Sequence, residues 1–152
     1  MAKRIIRTVA IIVGLIVLLL VGLVFFLTVT EYKPAPVEDA SLSFVEQDSE
    51  AVELDEEFTL YTWNIGYGGL GKESDFFMDG GQMVNPPSQE IVEKNLEGIT
   101  NFIDEREADA WLIQEADLNS ARTEKVDEIA LLQEHAGDNG AFAYNYNCKF
   151  VP

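Results

Sequence analysis

The sequence contains one cysteine, Cys148, and one histidine, His135. A lone cysteine excludes an internal disulfide and argues against a small disulfide-stapled secreted scaffold. No internal repeat is present, and 152 residues allow one small domain at most. Positive charge is also scarce: ten Lys and Arg stand against 27 Asp and Glu. Lys3, Arg4 and Arg7 account for three of those bases, and every acid lies after residue 30. The chain beyond residue 30 therefore carries seven bases against 27 acids, a net charge of −20. Such a field repels nucleic-acid and phospholipid phosphates unless cations intervene. A metal-free polyanion-binding module fits poorly, and a site that recruits a divalent cation fits better.

Charge is missing altogether from residues 8–30, "TVAIIVGLIVLLLVGLVFFLTVT". At ~1.5 Å per residue, a helix of this length spans a ~30 Å hydrocarbon layer. A cleaved signal peptide is the alternative, but its apolar region is usually about 7–15 residues long and ends at a small-x-small site. "LTVTEYK" offers no convincing site, so an uncleaved single-pass anchor is expected. Lys3, Arg4 and Arg7 form a basic tail over residues 1–7, which keeps the N-terminus cytoplasmic and exports the rest. Residues 31–57 hold ten acids, one lysine and two prolines, and read as an extended acidic linker.

The globular part, residues 58–152, opens with "FTLYTWNI", a strand pattern apolar on both faces and so expected to be covered on both. A glycine-rich loop runs from Gly66 to Pro87, and Ser88 is a suitable N-cap. The helix after it is expected to reach about Glu107, with Val92, Leu96, Ile99 and Ile103 on one face. A second strand, "DAWLIQE", occupies residues 109–115. A loop and a further helix follow, with Val126, Ile129, Ala130 and Gln133 sharing a face and Gly137 as the stop. "AFAYNYNCKF" alternates with period two and reads as a strand. On it Cys148 shares a face with Phe142, Tyr144, Tyr146 and Phe150, which points to core packing rather than a nucleophile.

Strand, helix, strand predicts a crossover between parallel neighbours, whose C-terminal ends share one sheet edge. Asn64 and Glu115 end those strands. An amide oxygen beside a carboxylate suits Mg²⁺, which takes oxygen ligands, keeps several waters and is held by one or two carboxylates. Asp117 is placed to support such a site from behind. Gly66, Gly68, Gly69 and Gly71 would let backbone approach a substrate. Plainer readings compete. Asn64 could end its strand by bonding its own backbone, and Glu115 could be a solvated strand end.

"LYTWNIGYGG" followed some fifty residues later by "DAWLIQEAD" resembles the first two motifs of the endonuclease/exonuclease/phosphatase superfamily, the deoxyribonuclease I-like group. The resemblance covers residues 58 to about 125 and maps the family asparagine to Asn64, its metal-ligating glutamate to Glu115 and the preceding glutamine to Gln114. "DLNSART" resembles the stretch that follows in many members, with Arg122 in the arginine position; an ion pair of Arg122 with Asp117 or Glu124 is an equal alternative. The resemblance implies an α/β fold, the N-terminal part of a four-layer sandwich. It also implies a Mg²⁺-dependent phosphoesterase acting on a nucleic-acid, phospholipid or sugar phosphate ester. Further along, beyond "DLNSART", neither of the later motifs, Asp-x-Asn and Asp-His, appears, and His135 does not match them; it reads as a helix C-terminal residue. The expectation is the N-terminal portion of a longer enzyme, inactive alone. A non-catalytic, membrane-anchored surface interaction protein is the competing class.

Overall fold

The computed structural model describes residues 1–43, 53, 55–137 and 139–148. It divides into two compact units, one of residues 1–38 with 144–151 and the other centred on residues 39–143.

The first unit is dominated by α1, Ala2–Thr30. It is long and apolar enough to cross a membrane by length and composition, a test that a signal sequence also passes. No residue of α1 is buried. The basic residues read as a separate tail lie inside its first turns. Thr28 and Thr30 donate their hydroxyls to the carbonyls of Val24 and Phe26 at 2.8 and 2.7 Å, which satisfies both polar groups within the helix. Beyond α1 a short turn is held by Glu38, which accepts from Tyr32 Oη and from Ala35 N–H, each at 2.8 Å.

The second unit is a mixture of helices and two small sheets. Strand β1, Ser41–Ser43, lies in the segment read as linker, and it pairs antiparallel with β4, Gly140–Phe142. Ser43 Oγ adds a 2.8 Å bond to Gln133 Oε1. Among the described residues, the strand expected over 141–150 covers only Ala141 and Phe142. Tyr144 and Tyr146 are exposed, so the expected packed face containing Cys148 does not form there; Phe150 lies outside the described residues.

The other sheet pairs β2, Leu60–Asn64, with β3, Ala110–Gln114, in parallel, from Leu60 opposite Ala110 to Asn64 opposite Gln114. The connection runs through α2, Gln89–Asp104. Ser88 caps it as expected, its side chain accepting from Ile91 N–H at 3.4 Å. The helix ends three residues before the expected Glu107. Val92, Leu96, Ile99 and Ile103 are buried on the face the spacing predicts. They form the core with Ile65 and with Leu132 of α3, Glu128–Ala136. Trp63 and Trp111 pack onto this core, Tyr61 stacks on Trp111 at 4.5 Å, and the ring of Phe102 lies 4.8 Å from that of Trp63.

Two expectations are corrected. The β2–β3 pair is covered on one face only: Leu60 and Leu112, on the other, remain 48% and 51% exposed, because no described element lies over them. In α3 the buried positions are Glu128 and Leu132, while Ala130 is exposed and Gln133 half-buried. The apolar stripe follows Leu132 and Ala136 rather than Ala130 and Gln133.

Leu96 touches the core centre and also fixes the loop after β2: a Cβ on Gly68, whose φ is +59°, would lie 2.9 Å from Leu96 Cγ. Leu96→Ala is expected to cost about 2–5 kcal/mol. The check is urea unfolding of the full chain in detergent, followed by fluorescence of Trp63 and Trp111, the only two tryptophans. A loss below about 1 kcal/mol would mean the core is centred elsewhere.

Candidate active site

Parallel pairing sets Asn64 beside the end of β3, and the side chains meet. Asn64 Nδ2 donates to Glu115 Oε1 at 2.8 Å. Asn64 Oδ1 accepts the N–H of Gly66 at 2.9 Å. The strand-ending reading and the pairing reading of Asn64 therefore hold together. Its backbone bond fixes the amide, and the fixed amide orients the carboxylate.

Glu115 leaves the strand with φ +54°, a left-handed conformation uncommon for a residue with a side chain. Its carbonyl accepts Tyr67 N–H at 2.7 Å, and the Gln114 carbonyl accepts Ile65 N–H at 3.0 Å. Tyr67 is itself left-handed, with φ +46°. Two strained residues are thus stitched to each other, as is common where a loop must hold side chains in a set place. The glycines serve packing more than open access: Gly66, Gly68 and Gly69 are buried. A Cβ on Gly71 would lie 2.6 Å from Asn95 Nδ2, which donates to the Gly68 carbonyl at 2.8 Å.

An open cleft of about 600 Å³ runs from Asn64 and Glu115 along α2, past Lys94, Asn95 and Phe102. Lys94 supplies positive charge there, in a weak 3.5 Å contact with Glu73.

Arg122 lies in a short 3-10 turn, Ala121–Thr123. Its Nε and Nη2 donate to the two carboxylate oxygens of Asp117, both at 2.7 Å, and its guanidinium covers the Tyr67 ring at 3.5 Å. Of the two ion pairs weighed from sequence, Asp117 is the partner. Burial works against the guanidinium charge, but the Asp117 bonds, with Tyr67 and Glu115 nearby, outweigh it and push the pKa up. Burial also raises the Tyr67 phenol, against the pull of Arg122, so it stays protonated at neutral pH. Asp117, expected to support Glu115 from behind, spends both oxygens on Arg122 instead.

Glu128 carried no role in the sequence reading. It is fully buried, and its Oε2 accepts Asp117 N–H at 2.8 Å. Burial pushes its carboxyl up to about 7, with the Asp117 N–H opposing and the Asp117 charge assisting. Spacing held a signal for it, since Glu128, Leu132 and Ala136 follow one another at four-residue intervals. His135 lies in the last turn of α3, as expected, with Nδ1 2.8 Å from Asp104 Oδ1. It belongs to the α2–α3 pair rather than to the Asn64–Glu115 edge.

Among the described residues no group of three His, Cys, Asp or Glu side chains is placed to hold a metal. The donor set is smaller: Glu115 keeps Oε2 after its bond to Asn64, and Asn64 Oδ1 keeps one lone pair. With the amide nitrogen of Asn64 turned to Glu115 and its oxygen toward Gly66, this donor set is too small for a closed zinc-type site and leaves room only for a cation that keeps most of its waters. No protein-family model matches the chain, and neither a curated protein nor a solved structure matches it.

The Asp117–Arg122 pair is largely shielded from solvent, with side chains 13% and 27% exposed. Arg122→Ala strands a carboxylate there and should cost about 2–3 kcal/mol, somewhat less than for a fully buried pair. Arg122→Lys keeps the charge but loses the two-pronged bond, and should fall between the two. Urea unfolding of the three proteins measures this, and equal stability of Arg122→Ala and wild type would show the pair to be ornamental.

Proposed function

We propose that the chain carries the N-terminal part of an endonuclease/exonuclease/phosphatase-type domain, built toward a four-layer α/β sandwich and acting as a Mg²⁺-dependent phosphoesterase. Residues 8–30 anchor it, with the N-terminus cytoplasmic and the domain outside. The observation that carries the reading is the Asn64–Glu115 bond across the C-terminal ends of β2 and β3, preceded by Gln114. The resemblance assigns metal binding to the glutamate at this position, and the contact gives it a fixed orientation.

In this reading Asn64 holds Glu115, and Glu115 with Asn64 Oδ1 holds the cation. Mg²⁺ bound there supplies charge neutralisation to a phosphoryl oxygen. The strained Glu115–Tyr67 junction keeps the carboxylate from relaxing away. Lys94 draws an anionic substrate into the cleft of a domain that otherwise repels it. Arg122 offers a weaker contact, since Asp117 already takes two of its donors. The one Asp-x-Asn triplet in residues 1–152, Asp117-Leu118-Asn119, falls inside the second motif region and its aspartate is taken by Arg122; no Asp-His pair occurs, so activity in this reading belongs to a polypeptide that carries the later motifs as well.

A second reading has its own support. The uncovered β2–β3 face, with Leu60 and Leu112, suits a membrane-anchored surface interaction protein without catalysis.

In a polypeptide carrying all the motifs, Glu115→Gln should lower phosphodiester turnover by at least ~10²-fold, with partial rescue at high Mg²⁺. His135→Ala should leave turnover within about twofold, since it touches neither the cleft nor Glu115. A phosphodiesterase assay over a Mg²⁺ series decides; full activity in Glu115→Gln refutes the metal assignment. Topology has a separate test. Protease added to intact cells should remove the domain and leave a small membrane-bound stub, whereas complete protection would refute the outward orientation.

A further inference from the structure

Glu128 is the one charged side chain among the described residues that the fold buries completely. It is knit to Asp117 twice: Oε2 accepts Asp117 N–H at 2.8 Å, and its own N–H donates to the Asp117 carbonyl at 3.2 Å. Its Oε1 is buried and has no hydrogen-bond partner among the described residues. A buried carboxylate with one bonded oxygen and one orphan is expensive when charged and far less so when neutral. The charges that act on it are those of Asp117 and Arg122, from the segment after β3. On the α2 side Asp104 is engaged with His135, two turns further along α3.

We infer that Glu128 is a proton-binding residue that positions Arg122 through Asp117: neutral, it leaves the guanidinium paired with Asp117 in the field of Glu115, and on losing its proton it adds a further carboxylate behind that pair and weakens the hold of Arg122 on an anion. The inference rests on the reading above in which Arg122 meets a phosphate ester. Lying beneath Asp117, the proton sits one residue from the guanidinium and acts on it through charge. The direction is fixed by burial, which raises the carboxyl to about 7. The folded protein holds this proton more tightly than the unfolded chain. Its stabilising effect is therefore complete below the ordinary carboxylate range and is lost as pH rises through about 7.

The test uses the full chain in detergent micelles, isotope-labelled at Glu, Arg and Tyr, and dimethyl phosphate as probe, whose charge is constant over the range studied. In an NMR titration one Glu carboxyl should titrate near 7, and the Arg122 guanidinium and Tyr67 ring resonances should follow the same midpoint. Dimethyl phosphate affinity should fall roughly tenfold across that midpoint, the low end of what a like charge does to a close neighbour. Glu128→Gln, neutral at every pH, should remove the titration and hold affinity at the low-pH value. A Glu128 carboxyl that titrates in the ordinary range overturns the inference. So does an Arg122 signal indifferent to the Glu128 proton. Both readings come from the wild type, so a poorly folded Glu128→Gln does not rescue the idea. If Arg122 follows Glu128 but dimethyl phosphate binds at no pH, the claim that the proton governs anion binding is overturned, whereas the Glu115 metal assignment stands or falls by the separate Mg²⁺-series assay.

Discussion

Two parallel strands cannot be joined by a tight turn, and most of the globular unit follows from that constraint. The chain leaving β2 has to return to the start of β3, and α2 makes the return. Burying α2 against the sheet creates the core of Val92, Leu96, Ile99 and Ile103 with Ile65. The same geometry brings the ends of β2 and β3 side by side, so that Asn64 and Glu115 meet without being near in sequence. The left-handed turns at Glu115 and Tyr67 are the local cost of ending two strands at one place, and the packed core beneath offsets it.

Cations are few in this unit, and the fold uses Arg122 to organise acids. Asp117 takes its two-pronged bond, Tyr67 lies beneath its plane, and Glu115 adds to its field. Arginine suits this task better than lysine because its flat, forked donor set can pair with a carboxylate and cover a ring at once. Lys94, on the cleft wall, stays only loosely tied to Glu73 and keeps its charge available.

The parts legible in the sequence were those set by local rules or by chain geometry. Ser88 announced α2, the spacing of Val92 to Ile103 gave its buried face, and the crossover placed Asn64 by Glu115. What escaped the sequence had tertiary causes. Ser41–Ser43 looked like solvated linker because its partner, Gly140–Phe142, lies about a hundred residues away. Glu128 opens a helix, where an acid is favourable in water and draws no notice. Only packing against the Asp117 segment reveals that it is buried. The apolar pattern on both faces of β2 was real, yet only one face is covered by described residues.

That bare face has a colloidal consequence. Leu60 and Leu112 are exposed on a two-stranded sheet, and Phe58, two residues before β2, is exposed as well. An exposed apolar face of this kind invites self-association. Against it stands the net −20 beyond residue 30, which keeps copies apart. The two forces respond differently to electrolyte. Added salt shortens the Debye length to ~10 Å at 0.1 M and ~3 Å at 1 M, which removes the repulsion and leaves the apolar attraction intact. Dispersal of this domain is thus an electrostatic property, strongest in dilute buffer.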